Sequence, residues 1–226
     1  MVGQIMTRII AGRAKGQPLK VPVSGTRPTS DRVRESVFSA TEHLLGGRSD
    51  VQVLGLYAGS GALGLEAVSR GARSAVLVES SAQATSVIRA NIAKTQLAAH
   101  VVKADVTVWL AKQATDQFDL VFIDPPYTLA GKLVANVLRS LAEGGWLADG
   151  AVVVVERDAK DDDLNAPRCF SHCNPVPVRR LGLSVHCRAS GGRIGCGTRG
   201  CFAAGKSHGQ WPATGPWPVA GHTRRE

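Results

Sequence analysis

A chain of 226 residues and 23.8 kDa has room for one ordinary α/β domain and a modest appendage. Hydrophobic residues at 44% and charged residues at 20% exclude a wholly disordered or coiled-coil chain. The longest purely apolar run is Ala151 to Val155, far short of the roughly 20 residues of a membrane helix. No basic stretch with a following apolar block is readable at the N-terminus, so a cytoplasmic protein is expected.

The net charge of +9 is unevenly placed: +5 over residues 1–40, −4 over 41–165 and +8 over 166–226. Basic ends around a mildly acidic centre suit a polyanionic partner, because Lys and Arg displace counterions from phosphate. They equally suit plain surface solubility. All five cysteines, Cys169, Cys173, Cys187, Cys196 and Cys201, fall near the C-terminus. An odd count without a signal peptide argues against a disulfide framework, and the spacings match no common zinc pattern, so no metal is expected.

In chain order, residues 8–12 and 18–22 read as a short basic β-hairpin around a turn at Arg13–Gln17. A helix follows, capped by Ser30 or Asp31, with Val33, Val37, Ala40 and Leu44 as its apolar stripe. Arg32, Arg34 and Glu35 are expected to point away from that stripe. Residues 51–56, 74–78, 99–103, 118–123 and 151–156 read as strands, and 62–70, 82–96, 106–112 and 129–142 as helices. Such alternation gives right-handed βαβ units and a parallel sheet with helices on both faces. Ligands in these folds sit beyond the carboxyl ends of the strands. The expected division is 1–45 (basic hairpin and helix), 46–165 (ligand-binding core) and 166–226 (altered closing strands and tail).

The first strand of the alternating region runs into Tyr57-Ala58-Gly59-Ser60-Gly61-Ala62-Leu63-Gly64, with Glu79 ending the next strand. Glycines allow close approach to a ligand, a helix start offers N–H groups, and an acidic side chain can accept from ribose hydroxyls. The pattern alone does not separate NAD from S-adenosylmethionine. The fourth strand ends in Asp124-Pro125-Pro126-Tyr127. Two prolines fix the backbone and remove two donors, so a carboxylate, an outward carbonyl and an aromatic face converge. That set suits a planar base carrying an exocyclic amine.

These two motifs together resemble a class I S-adenosylmethionine-dependent amino-methyltransferase. Thr7-Arg8-Ile9-Ile10-Ala11-Gly12, the stretch from Thr26 to Phe38 and the stretch from Gly61 to Ala72 narrow the resemblance to the RsmD-type bacterial 16S ribosomal RNA guanine-N2-methyltransferases. It runs from about Met6 to about Asp158. It implies a Rossmann-like class I methyltransferase sheet and S-adenosylmethionine as cofactor. Gly59 and Gly61 would cradle the methionine part, Glu79 the ribose, and Asp105 with Val106 the adenine, with Tyr57 also binding the cofactor. Asp124, Pro125 and Tyr127 would grip the target guanine. Arg8, Arg13, Lys15, Arg27, Arg32 and Arg34 would meet ribosomal RNA phosphate, orienting it without reading sequence. The implied partner is 16S ribosomal RNA, within a small subunit or an assembly intermediate, and the expected state is a monomer.

Three departures stand out. Gly55 occupies a first-strand position where the family usually has aspartate. If that carboxylate makes a charge-assisted bond to the cofactor's ammonium group, its loss costs about 1.5–3 kcal/mol. Ser39 stands where asparagine is common. Residues 177–186 only blur the family's closing strands, and the Gly/Pro/Arg/Cys-rich tail beyond is expected to be disordered, with RNA binding as its functional alternative. A catalytically weakened relic that binds cofactor or RNA is the second reading of the whole chain. An NAD-dependent dehydrogenase fits the glycine turn but leaves Asp124 to Tyr127 unexplained, and the N-terminal stretches argue against a DNA adenine methyltransferase.

Overall fold

The computed structural model describes residues 6–22, 30–48, 50–126, 131–158, 170–178 and 181–188. In chain order they form a hairpin of β1 (Met6–Arg8) and β2 (Pro18–Lys20), then α1 (Asp31–Leu44), β3 (Gln52–Leu56) and α2 (Ala62–Arg70). There follow β4 (Ser74–Glu79), α3 (Ala82–Thr95), β5 (Ala99–Lys103), α4 (Val106–Leu110), β6 (Phe118–Ile123) and α5 (Gly131–Glu143). Strands β7 (Leu147–Asp158), β8 (Phe170–Val178) and β9 (Leu181–Arg188) complete the order.

Seven of the strands join in one sheet, β5-β4-β3-β6-β7-β9-β8, in which β5 to β7 run parallel and β9 and β8 antiparallel. The altered closing segment therefore still forms the antiparallel pair at the sheet's edge, because pairing uses backbone groups that any sequence supplies. Between β3 and β6 the order of winding reverses: β4 continues on one side of β3 and β7 on the far side of β6. That is the switch point, where loops diverge and leave a crevice.

The two faces of the sheet bury separate apolar clusters. One joins Ile9, Leu19, Val37 and Phe38 of the N-terminal segment to Leu65, Leu77 and Ile88. The other packs Val134, Leu138 and Leu141 of α5 with Trp146 against Leu54, Val121 and Val153. Continuous burial of β6, from Phe118 to Ile123, explains its unbroken apolar run, since a central parallel strand is covered on both faces. Side chains of Ser30 and Ser81 accept from the amides of Val33 and Ala84, so each cap fixes where its helix begins.

Helix α1 departs from the expected stripe, of which Ala40 and Leu44 are only half-buried. Its buried face is Val33, Arg34, Val37, Phe38 and Thr41, so Arg34 points inward while Arg32 and Glu35 stay exposed. The apolar face of a helix spans more than a single i, i+4 row, and Arg34 shares it with Phe38.

The N-terminal hairpin is bolted to α2 by polar contacts. The Glu66 carboxylate, fully buried, accepts from the amides of Ile10 (2.7 Å) and Ala11 (2.9 Å) and from Arg70 Nε (2.8 Å). Ser69 Oγ donates to the Ala11 carbonyl and accepts from the Ala14 amide, while its backbone carbonyl takes the Arg13 amide. Gly12, at φ 79°, lies where a Cβ would stand 1.8 Å from the Ser69 carbonyl oxygen. Only glycine lets the two backbones come this close.

Candidate active site

The cleft at the switch point is walled by the turn after β3, the end of β6 and the N-terminal segment. Its lining includes Gly55, Gly59, Gly61, Asp124, Thr7 and Arg34. At the end of β3 the chain reverses sharply: Tyr57 adopts φ 57°, and Gly61 at φ 78° caps α2 without a side-chain bond. A side chain is disfavoured at Gly61 by that φ, and a Cβ there would also press on Leu77 and Ile88. The turn closes on itself through the Gly61 amide and the Ala58 carbonyl (2.7 Å).

Glu79, at the end of β4, is buried and already engaged: it accepts from the Gly59 amide (2.9 Å) and the Ser81 amide (2.8 Å). It therefore braces the turn as well as facing the cleft end of its strand. Asp105 caps α4, accepting through Oδ1 from Thr107 Oγ1 (2.5 Å) and from the Thr107 (2.8 Å) and Val108 (3.1 Å) amides. The bonds from Thr107 and Val108 hold its carboxyl below the usual range. Val106 is buried beside it. Burial, with the Asp105 carboxylate second, raises the Tyr57 phenol above its ordinary value.

Asp124 leaves the end of β6, and its amide reaches the Leu56 carbonyl across the switch point (3.4 Å). Pro125 is buried and Pro126 exposed. Strand register sets Ile123 beside Val155, which brings the next residues, Asp124 and Glu156, together at the sheet's end. Burial first, and then the Glu156 carboxylate, push the Asp124 carboxyl up to about 8. Two carboxylates side by side in a poorly solvated place do not both ionise readily.

This has a measurable consequence for stability. Asp124 holds its proton in the folded chain between its ordinary value of 3.8 and about 8, where the unfolded chain has lost it. The folded state then binds more protons, so its stability falls as pH rises through that window. Denaturant midpoints at about pH 5 and about pH 8.5 should show the fall in the native protein and a clearly smaller one in Asp124→Asn. An unchanged pH dependence in the variant would contradict the assignment.

Of the residues singled out in the sequence, Tyr57, Gly59, Gly61 and Asp124 line one cleft, Glu79 is bonded to its turn, and Asp105 follows β5, the strand beside β4. Arg8, Arg13, Lys15 and Arg32 are exposed on the N-terminal segment, Arg8 paired with Asp31 (3.0 Å). Arg34 is corrected: at 1% exposure it is out of reach of an RNA backbone and belongs to the cleft instead. Tyr127, Arg27 and the tail beyond Arg188 lie outside the described residues. Among the described residues no cluster of three His, Cys, Asp or Glu is placed to hold a metal, and no helix is long and apolar enough to cross a membrane.

Sequence reasoning missed Asn91, Glu66 and Glu156. Buried Asn91 donates to the Ser60 carbonyl and exchanges bonds with the Lys20 backbone, all at 2.9 Å, tying the glycine turn to the hairpin. Its signal was a polar residue three places after Ile88 on a buried helix face. Glu66 left a similar signal, a lone carboxylate inside the otherwise apolar first turns of α2.

A family model described as Conserved hypothetical protein 95 matches residues 7–176. The chain is 40% identical over 171 residues to ribosomal RNA small subunit methyltransferase D of Escherichia coli (strain K12), covering 75% of this chain and 82% of that protein. It is 35% identical over 166 residues to the protein of the same name from Haemophilus influenzae, covering 71% and 82%. The solved yhhF protein of Escherichia coli superposes with a TM-score of 0.72 at 34% identity, over 83% of this chain and all of that one. The hairpin bolted to α2, the glycine turn and the Asp124 strand end all fall inside the matched span, and the chain belongs to the RsmD family of small-subunit ribosomal RNA methyltransferases.

Proposed function

We propose that the chain transfers a methyl group from S-adenosylmethionine to the exocyclic N2 of a guanine in 16S ribosomal RNA. The observation that carries this reading is the meeting of the Gly59–Gly61 turn and Asp124 in one cleft at the switch point. The cleft fits the cofactor: a close backbone turn, acidic side chains at Glu79 and Asp105 for the nucleoside, and a buried guanidinium with N–H groups left over.

S-adenosylmethionine would supply an electrophilic methyl on a sulfonium, leaving a neutral thioether as the guanine N2 lone pair forms the new bond, and the methylated amine would then lose one of its N–H protons. That lone pair is delocalised into the purine, so the amine is a poor nucleophile. Asp124 and the carbonyl of Pro125 accept its two N–H groups, favour rehybridisation and hold it in line with the methyl. Tyr127 stacks on the base. Asp124 serves as acceptor in either protonation state, because a carboxylic acid keeps its carbonyl oxygen. Arg8, Arg13, Lys15 and Arg32 take RNA phosphates without reading sequence. Label from isotopic S-adenosylmethionine should enter small ribosomal subunits that lack native methylation and should not enter duplex DNA; label in DNA would overturn the reading.

Gly55 tests how the cofactor's amino-acid end is held. A Cβ at this cleft-lining position would meet one close neighbour, the Leu77 Cδ2 methyl at 2.9 Å, the movable end of a side chain. Gly55→Asp therefore fits after a small shift of Leu77 and supplies a partner for the ammonium group. We expect affinity for S-adenosylhomocysteine, read by titration calorimetry, to rise about tenfold to a hundredfold. Unchanged or weaker binding would show that the ammonium is satisfied elsewhere.

A further inference from the structure

Among the described residues Arg34 is one of the largest fully buried side chains, yet only one of its guanidinium nitrogens is satisfied by them. Nη2 donates to Thr7 Oγ1 (2.9 Å), the Arg8 carbonyl (2.9 Å) and Asp31 Oδ1 (2.7 Å). Among the described residues, buried Nε and Nη1 find no hydrogen-bond partner. Burying charged donors unpaired is costly, so such groups point to a partner that arrives with a ligand.

Helix formation does not account for the residue. Arg34 sits in the first turn of α1, where the helix dipole disfavours a cation. Its neighbour Asp31 does not cancel its charge either, because Asp31 also pairs with Arg8. The cluster keeps one positive charge, at the cleft. Among the described residues that line the cleft, Arg34 is the only basic one. Glu79 ends β4 and Asp105 follows β5, on one side of β3 in the sheet, whereas α1, which carries Arg34, packs against β8 and, through Phe38, against Phe122 of β6 on the other side. A ligand with its nucleoside at the acidic flank directs its other end toward Arg34.

We infer that Arg34 binds the α-carboxylate of the cofactor's methionine through its unpaired Nε and Nη1 donors. The inference rests on the S-adenosylmethionine reading above and deepens it: with Gly55 in place of a carboxylate, the zwitterionic end is gripped by its anion rather than by its ammonium. A guanidinium holds a carboxylate through charge-assisted bonds, and the low dielectric of a buried site strengthens them.

Titration calorimetry with two ligands tests this. S-adenosylhomocysteine carries the carboxylate, whereas 5′-methylthioadenosine has the same nucleoside and thioether without the amino acid. Arg34→Met should weaken S-adenosylhomocysteine about tenfold to a hundredfold and leave 5′-methylthioadenosine within about threefold. Arg34→Lys should recover part of the loss. Equal weakening of both ligands would reduce Arg34 to a structural strut and overturn the proposal. The wild-type protein gives an arm that needs no variant: decarboxylated S-adenosylhomocysteine should bind at least about tenfold more weakly than the parent. Equal binding of the two would overturn the proposal while leaving the cofactor reading intact, and failure of the wild type to bind any of these ligands would overturn both.

Discussion

Asp124→Ala should lower methyl transfer to small ribosomal subunits by about a hundredfold to a thousandfold, the range seen when one preorganised transition-state hydrogen bond is removed. The carboxyl stands just past the end of β6, where register with β7 sets it beside Glu156 and where Pro125 fixes the next φ. Alanine removes the acceptor and nothing else of size, so S-adenosylhomocysteine binding should stay within about a factor of ten. Asp124→Asn keeps one acceptor oxygen but adds donors opposite the substrate amine, and its activity should fall between the two. Single-turnover rates with saturating cofactor separate the chemical step from binding. Full activity in Asp124→Ala would remove this residue from the reaction.

Gly12→Ala should be among the most destabilising single substitutions available in the N-terminal segment. The new Cβ would lie 1.8 Å from the Ser69 carbonyl oxygen and 2.2 Å from its carbon, both main-chain atoms of α2, with φ already at +79°. Neither backbone can yield cheaply, because α2 is fixed at one end by the Gly61 turn and the hairpin by the Glu66 and Ser69 bonds. We expect a loss of about 3 kcal/mol or more, which in a chain of this size lowers Tm by roughly 10 °C. Amide exchange at Ile10, Ala11, Arg13 and Ala14 should accelerate together, since all four donate to α2. Gly16→Ala is the control: it shares a positive φ of 83° but has nothing within 4 Å of the new Cβ, so only the backbone term, about 1 kcal/mol, applies. Equal effects at the two positions would refute the close approach.

The contrast between these glycines shows what a sequence carries openly. The alternation of apolar strands and amphipathic helices over residues 51–156 is local, and each strand of the parallel sheet is found with its expected core. The glycine turn and the Asp124 strand end were legible for the same reason: each is a contiguous motif whose meaning depends on its own strand. Arg34 was misread because its surroundings are built by distant residues. Thr7 and Arg8 close around it only once the hairpin has docked, and that docking depends on Glu66 and Ser69 more than fifty positions away. The pairing of Asp124 with Glu156 is likewise a fact of strand register between β6 and β7, with no local signature. Asn91 joins three segments through one amide side chain and leaves only a polar residue on a buried face as its trace.

The same long-range contacts bear on the RNA-binding role proposed for the basic N-terminus. Arg13 and Lys15 sit in the turn that α2 holds, and Lys20 in the strand that Asn91 ties to the glycine turn. Charged side chains on a rigid support pay less ordering entropy on binding than the same residues on a loose arm. The hairpin thereby presents its cations at a fixed distance from the cleft.

The most direct measurement is the identity of the methylated nucleoside. Small ribosomal subunits lacking native methylation are incubated with the chain and isotope-labelled S-adenosylmethionine, and the 16S RNA is digested to nucleosides and separated. The expected result is label in N2-methylguanosine, approaching one methyl per subunit, and lost with Asp124→Ala. Label on another base or atom, or none from folded protein with excess cofactor, would contradict the assignment of Asp124 and the Gly59–Gly61 turn to guanine N2 methylation.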